Sequence, residues 1–190
     1  VQVQDVVAGE TYNLNPGGGF ACVRALTISP NGKSVVYAFP DSNGSQQLWQ
    51  TDIQLQNKVA LTNSDYIDAH PRFSPTGNRL AFTSTRSGNF DIYRMAADGS
   101  AMLQLTDHPG IDTRPAWSPD GLKIAYTSLI QGNYEIFVMN ADGSHQKQIT
   151  TNPGKDDFAC WHPDGKRVFY VSEVKGKIDI YSTLVEDSTP

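Results

Sequence analysis

The chain has 190 residues, of which 38% are hydrophobic and 18% charged, and a formal net charge of −5 at pH 7. That balance suits one soluble folded domain of moderate size rather than a disordered segment. It argues against nucleic acid or an anionic membrane as the main partner, because both require a concentrated basic surface, and the densest basic cluster, Lys166–Arg167 with Lys175 and Lys177, is broken by Glu173 and Asp179.

Taken in chain order, the first distinctive stretch is Glu10-Thr11-Tyr12-Asn13-Leu14-Asn15-Pro16-Gly17, a strand-like segment followed by the connector Gly17-Gly18-Gly19. The chain starts at Val1 without a Met, as a mature or excised fragment does. No stretch reads as a membrane span or a signal peptide. From Ser29 onward the chain is periodic. Pro30, Pro75, Pro119 and Pro163 follow at steps of 45, 44 and 44 residues, and Thr62, Thr106 and Thr150 close successive units at steps of 44. Such a period marks an array of small supersecondary units, none of which can bury its apolar faces alone.

Four units are expected, at about 20–62, 63–106, 107–150 and 151–184, together forming one domain over 1–190. In the third, Thr113–Ser118 reads as a first strand ended by Ser118-Pro119-Asp120-Gly121, in which Pro presets the turn and Gly takes the positive φ. Lys123–Ser128 is the second strand, Gly132-Asn133 a turn, and Tyr134–Met139 the third strand. Asn140 to Ser144 is a hairpin loop and Gln146–Thr150 the fourth strand. Second strands elsewhere are Ser34–Phe39, Arg79–Ser84 and Arg167–Ser172. Third strands are Gln47–Asp52, Phe90–Met95 and Ile178–Thr183. Fourth strands are Lys58–Thr62 and Met102–Thr106. The bulky residue before each Ser/His-Pro pair (Ile28, Phe73, Trp117, Trp161) is expected to pack between neighbouring units.

Four antiparallel strands in about 44 residues is the size of one β-propeller blade. The fold class is therefore all-β, a β-propeller of about four four-stranded antiparallel blades. The last unit lacks a fourth strand, and residues 10–15 resemble the end of a repeat (Gln148 to Gly154). The N-terminal strand is accordingly expected to complete the last blade. Done within one chain, this closes a ring; done by exchange between chains, it makes a homodimer. Cys22 and Cys160 could pair if the first and last units are neighbours, although two buried free thiols are the preferred reading.

Arg114-Pro115-Ala116-Trp117-Ser118-Pro119-Asp120-Gly121, then Ile124-Ala125-Tyr126-Thr127-Ser128, Tyr134-Glu135-Ile136-Phe137-Val138-Met139 and Ala141-Asp142-Gly143-Ser144 resemble the repeats of the TolB-like (PD40, WD40-like) propeller family. The resemblance runs over nearly the whole chain from Ser29. The first unit diverges most, with Asn31 at the turn Asp and Leu48-Trp49 where Ile-Tyr is usual. The family's namesake has a six-bladed propeller behind a separate N-terminal domain, neither of which fits this length. The resemblance implies a periplasmic or otherwise extracytoplasmic protein and a protein or peptide partner. Because the same repeats occur in binding proteins, peptidase accessory domains and lyases, it leaves the activity open.

Loops between a fourth strand and the next first strand gather at one mouth of a propeller. They carry Asp65, Tyr66 and Asp68, then His108 and Asp112, then Lys155, Asp156 and Asp157, with Arg86, Asn89, Asn133 and Lys177 on the same face. Asp68, Asp112 and Asp156 recur at one position and are expected to cap the start of strand one through local backbone hydrogen bonds. His70, Arg72 and Arg114 break the repeat and are the better partner contacts. The candidate partner-binding set is Asp65, Tyr66, Asp68, His70, Arg72, Arg86, Asp112, Arg114, Asp156 and Asp157. Asp91, Glu135 and Asp179 read as an inter-blade polar network. His70 and His162 have no second ligand at metal-binding spacing, the Asp-Gly-Ser loops lack a calcium ligand pattern, and no nucleophile elbow, zinc-helix or phosphate-loop motif occurs. The expectation is a non-catalytic module without cofactor or metal and without direct membrane insertion, monomeric or strand-exchanged, serving as the sensory part of a larger protein. The alternatives are the accessory propeller of a prolyl-oligopeptidase-like hydrolase and a TolB-like carbohydrate lyase.

Overall fold

The structure is a computed structural model that describes residues 2–4, 11–13, 25–40 and 44–185. All seventeen elements in these residues are strands. Two short ones, β1 (Gln2–Gln4) and β2 (Thr11–Asn13), pair with each other. Three four-stranded antiparallel sheets follow. The first is β3 (Leu26–Ile28), β4 (Ser34–Pro40), β5 (Gln46–Asp52) and β6 (Val59–Ala60). The second is β7 (Asp68–Phe73), β8 (Arg79–Ser84), β9 (Asp91–Ala96) and β10 (Leu103–Gln104). The third is β11 (Ile111–Trp117), β12 (Lys123–Ile130), β13 (Asn133–Asn140) and β14 (Lys147–Gln148). The last sheet has three strands, β15 (Lys155–Trp161), β16 (Arg167–Val174) and β17 (Lys177–Leu184).

Alternation along the central strands gives each sheet two apolar faces, and the cores lie between consecutive sheets. Val36, Ala38 and Leu48 of the first sheet meet Leu80, Phe82, Tyr93 and Met95 of the second. Ala81, Ile92 and Leu105 meet Ile124, Tyr126 and Met139 in the next interface. Ala125, Ile136 and Val138 meet Trp161, Val168 and Tyr170 in the third. As expected, Phe73, Trp117 and Trp161 sit in these interfaces, and the Trp117 and Trp161 indoles donate to the carbonyls of Arg72 (3.1 Å) and Ala116 (3.0 Å) one blade back. Ile28 does not follow them: it is 45% exposed, because no preceding blade lies against it among the described residues. The blades also nest at their tips. A Cβ on Gly99 or Gly143 (φ +88 and +91) would lie 2.8 or 2.9 Å from the carbonyl oxygen of Leu61 or Leu105 in the blade before, so the hairpin loop needs glycine there for close approach as well as for φ.

First strands pack against first strands along the series, β3 on β7, β7 on β11 and β11 on β15, so these are the inner strands of the arc. No comparable packing joins the first and fourth sheets among the described residues. Among the described residues the four blades form an open arc and not a ring closed within one chain. Thr11–Asn13, the described part of segment 10–15, pairs with Gln2–Gln4 and not with the last blade of its own chain. Closing a short local hairpin costs less chain entropy than pairing residues at opposite ends of the chain. Cys160 is an exposed free thiol rather than a buried one, and Cys22 lies outside the described residues.

Candidate recognition site on the inner strands

The inner strands β7, β11 and β15 are interrupted at one position each. Their ladders to the second strands shift register between Ala69 and Arg72, Thr113 and Ala116, and Asp157 and Cys160. In each break one non-glycine residue takes a left-handed backbone: His70 (φ 51), Arg114 (φ 55) and Phe158 (φ 60). These bulges lie 44 residues apart, so the scaffold is constant while the displayed side chain differs. A bulge re-aims its side chain, and left-handed non-glycine residues persist where the surrounding fold holds them, often at binding sites.

The re-aimed side chains converge. The Arg114 guanidinium lies 2.8 Å from Asp157 Oδ2 and 4.7 Å from the centroid of the Phe158 ring. Asp157 is held in turn by the Thr127 hydroxyl at 2.8 Å and the Phe158 backbone N–H at 2.7 Å. Arg72 spends its hydrogen bonds on the carbonyls of Leu26 and Pro71, and no carboxylate partner is described for it. Arg72, Arg114, Phe158 and Cys160 line a cavity of about 500 Å³ walled by Trp117 and Trp161. His70 faces a second, smaller cavity with Ile67, Ala69 and Phe90. Burial and, behind it, the charges of Arg114 and Arg72 push the His70 imidazole down to about 4, so the ring is neutral at pH 7.

The recurring aspartates play a different part. Asp68, Asp112 and Asp156 are wholly buried at the start of β7, β11 and β15, each opposite a serine of the second strand (Ser84, Ser128, Ser172). Side chains rather than local backbone caps hold them, and the counter-group changes from blade to blade. Arg86 Nη2 lies 2.9 Å from both oxygens of Asp68. His108 Nε2 lies 2.9 Å from Asp112, and Asn152 donates to Asp156 at 2.6 Å. Burial raises the Asp112 carboxyl above its ordinary range. Ser128, His108 and Asp112 do not form a catalytic relay: Ser128 and Asp112 both approach Nε2, while Nδ1 accepts the Gly110 N–H at 2.9 Å.

The second-to-third turns and the fourth-to-first loops lie together on one face. Asn89 donates to the carbonyls of His108 and Gly110, and Asn133 to those of Asn152 and Gly154, tying each second-to-third turn to a fourth-to-first loop. Asp65 and Tyr66 are exposed on the corresponding loop of the second blade. Of the ten candidates, the structure brings Arg114 to Asp157 and Arg86 to Asp68, and groups His70 and Arg72 with the former pair. Reading the sequence missed Phe158, Cys160 and Asn152, although Phe158 could have been found one 44-residue step beyond Arg114. Asp91 and Glu135 bond to Thr106 and Thr150 within their own blades (3.2 and 2.7 Å), not between blades as expected, and Asp179 is exposed.

The model of the TolB β-propeller domain matches residues 23–133, more than half of the chain. The chain belongs to the TolB β-propeller family. It is 37% identical over 83 residues to the Tol-Pal system protein TolB of Ruegeria sp. (strain TM1040), covering 43% of this chain and 17% of that protein. It is 28% identical over 91 residues to dipeptidyl-peptidase 5 of Porphyromonas endodontalis, covering 45% of this chain and 13% of that one. The crystal structure of TolB from Acinetobacter baumannii superposes with a TM-score of 0.77 at 24% identity, over 96% of this chain and 45% of that chain. This last likeness is one of fold. The propeller segment spans less than half the length of each of the three.

Proposed function

We propose that this TolB-family segment is a non-catalytic recognition module that takes a protein or peptide on its inner strands, in an extracytoplasmic protein and as the sensory part of a larger one. The observation that carries the reading is the set of three bulges: two present Arg114 and Phe158 to a cavity bounded by Arg72 and two tryptophans, and the third presents His70 to a smaller cavity. A concave apolar surface with a few convergent polar groups is the form that peptide and small-ligand sites take. Tyr66, Asp65, His70, Arg72, Arg114 and Asp157 serve as contacts. Asp68, Arg86, Asp112 and Asp156 hold the inner strands in place behind them. Family membership supports the extracytoplasmic setting.

The Porphyromonas match favours one other reading, an accessory propeller beside a hydrolase domain. Binding and turnover assays test the proposed reading. Peptides selected from a displayed random library against the chain should lose affinity by about tenfold or more with Arg72→Ala or Arg114→Ala and keep it with Lys166→Ala. Failure to enrich any peptide, or binding indifferent to both arginines, overturns the recognition site. Ester or peptide turnover by the chain that disappears with His70→Ala overturns the non-catalytic reading.

A further inference from the structure

Two residues beyond each bulge residue, the inner strands carry Arg72, Ala116 and Cys160, at steps of 44. The same frame forms around a methyl group or a thiol, so the guanidinium of Arg72 is not a requirement of the fold. Nor does the fold neutralise it. Its side-chain hydrogen bonds run from Nη1 to the carbonyls of Leu26 (3.3 Å) and Pro71 (3.1 Å). Among the described residues no bond engages Nε or Nη2, and no carboxylate pairs with this residue. Arg72 is also exposed, so a ligand can reach it.

The cavity of about 500 Å³ beside it is lined by the inner strands of all four blades, through Ile28, Arg72, Arg114 and Trp161 among others, and does not lie at either end of the series. Arg72 and Arg114 are the charged residues of its lining. Arg114 already holds Asp157 at 2.8 Å. Two guanidiniums and one carboxylate leave a surplus of one positive charge, in a chain whose net charge is −5. The field is felt at His70, where Arg114 and Arg72 each oppose protonation of the imidazole more than Asp157 favours it. The remaining walls are apolar. Trp117 and Trp161 donate their indole N–H groups to the carbonyls of Arg72 and Ala116, which leaves ring surface toward the cavity. Phe158 is 59% exposed beneath the Arg114 guanidinium.

Resting on the recognition site proposed above, we infer that its ligand is a peptide bearing a carboxylate beside an apolar side chain. The carboxylate lies on Arg72 and the apolar group against Phe158 and Trp161. A guanidinium takes a carboxylate through two parallel N–H bonds, and Nε with Nη2 forms one edge of that fork. A single carboxylate cancels the surplus charge, whereas a phosphate dianion would exceed it beside Asp157. The group comes from a chain terminus or from an Asp or Glu side chain, which share this chemistry.

The test is a calorimetric titration of the chain with two pairs of peptides. One pair is acetyl-Ala-Ala-Phe as the free acid and as its amide. The other is acetyl-Ala-Asp-Phe amide and acetyl-Ala-Asn-Phe amide. In at least one pair the acid should bind about tenfold or more tightly than its neutral counterpart, and added salt should narrow the difference. A preference in the first pair assigns a terminal carboxylate, and one in the second a side chain. Arg72→Gln should abolish the preference, Arg72→Lys should keep part of it by retaining charge without the fork, and Lys166→Ala should leave it whole. Equal affinity within both pairs, or a preference that survives Arg72→Gln, overturns the carboxylate ligand and leaves the recognition site standing. Absence of saturation by all four at millimolar concentration also overturns it, while the library selection decides separately whether the inner strands bind peptides.

Discussion

His70 shows how a single residue ties the inner strands to pH. An unfolded histidine takes up its proton near 6.5 and the folded one near 4, because burial and then the Arg114 and Arg72 guanidiniums oppose the charge. Between those values the unfolded state binds more protons, so stability rises with pH. The contribution of His70 is complete above about 6.5 and is lost as pH falls through about 4. His70→Gln should remove that component, so urea midpoints of variant and parent should stay a constant distance apart near neutrality and shift relative to one another as pH falls from about 6.5 to about 4, the parent losing stability relative to the variant. Parent and variant that run parallel across this range would refute the burial of a neutral ring. Asp112 and Glu135, both raised by burial, pull in the opposite sense, which is why the difference between the two proteins is the readout. His70, Arg72 and Arg114 were legible as candidates because they break the repeat. The fate of Asp68, Asp112 and Asp156 was not, because recurrence shows that a position matters without showing whether it faces solvent or interior.

Among the elements, the fourth strands depart furthest from expectation. They were expected to run five residues, Lys58–Thr62, Met102–Thr106 and Gln146–Thr150, and the ladders hold two residues each. The threonine hydroxyl replaces a backbone partner at the end of the strand, so the edge is satisfied without a longer ladder. The 44-residue spacing of Thr62, Thr106 and Thr150 made the element visible but said nothing of this hydroxyl clamp, which depends on a third-strand neighbour 14 or 15 residues away. Thr150→Val should cost about 2–3 kcal/mol by denaturant unfolding, since the buried Ile136 N–H loses its acceptor and Glu135 Oε2 loses its donor. Thr151→Val, one residue on and exposed, should change stability by less than about 0.5 kcal/mol. Equal costs at the two positions would mean that the clamp contributes nothing.

For the molecule as a whole, the consequence of an open arc is that one position in the repeat meets two environments. Ile136 is sealed in the third interface, and Ile180, its counterpart, faces solvent. Ile136→Lys should destabilise by several kcal/mol or prevent folding, since it buries a charge without a partner. Ile180→Lys should leave the unfolding midpoint within about 0.5 kcal/mol of the parent. A large loss at Ile180 would show that the fourth sheet is covered and the arc closed. The number of blades, the order of their strands, the turns and three of the four residues expected to wedge between blades (Phe73, Trp117 and Trp161) could be read from the chain alone. Each rests on a local pattern that recurs within one unit: alternation, Pro and Gly at fixed offsets, and a bulky residue before the turn. Tertiary structure alone decided whether the two ends meet and which side chains face one another across blades, as Arg114 faces Asp157 and Trp117 faces the Arg72 carbonyl. Those distances are set by the twist and tilt accumulated from sheet to sheet, a property of packed interfaces for which no stretch of 44 residues carries a local mark.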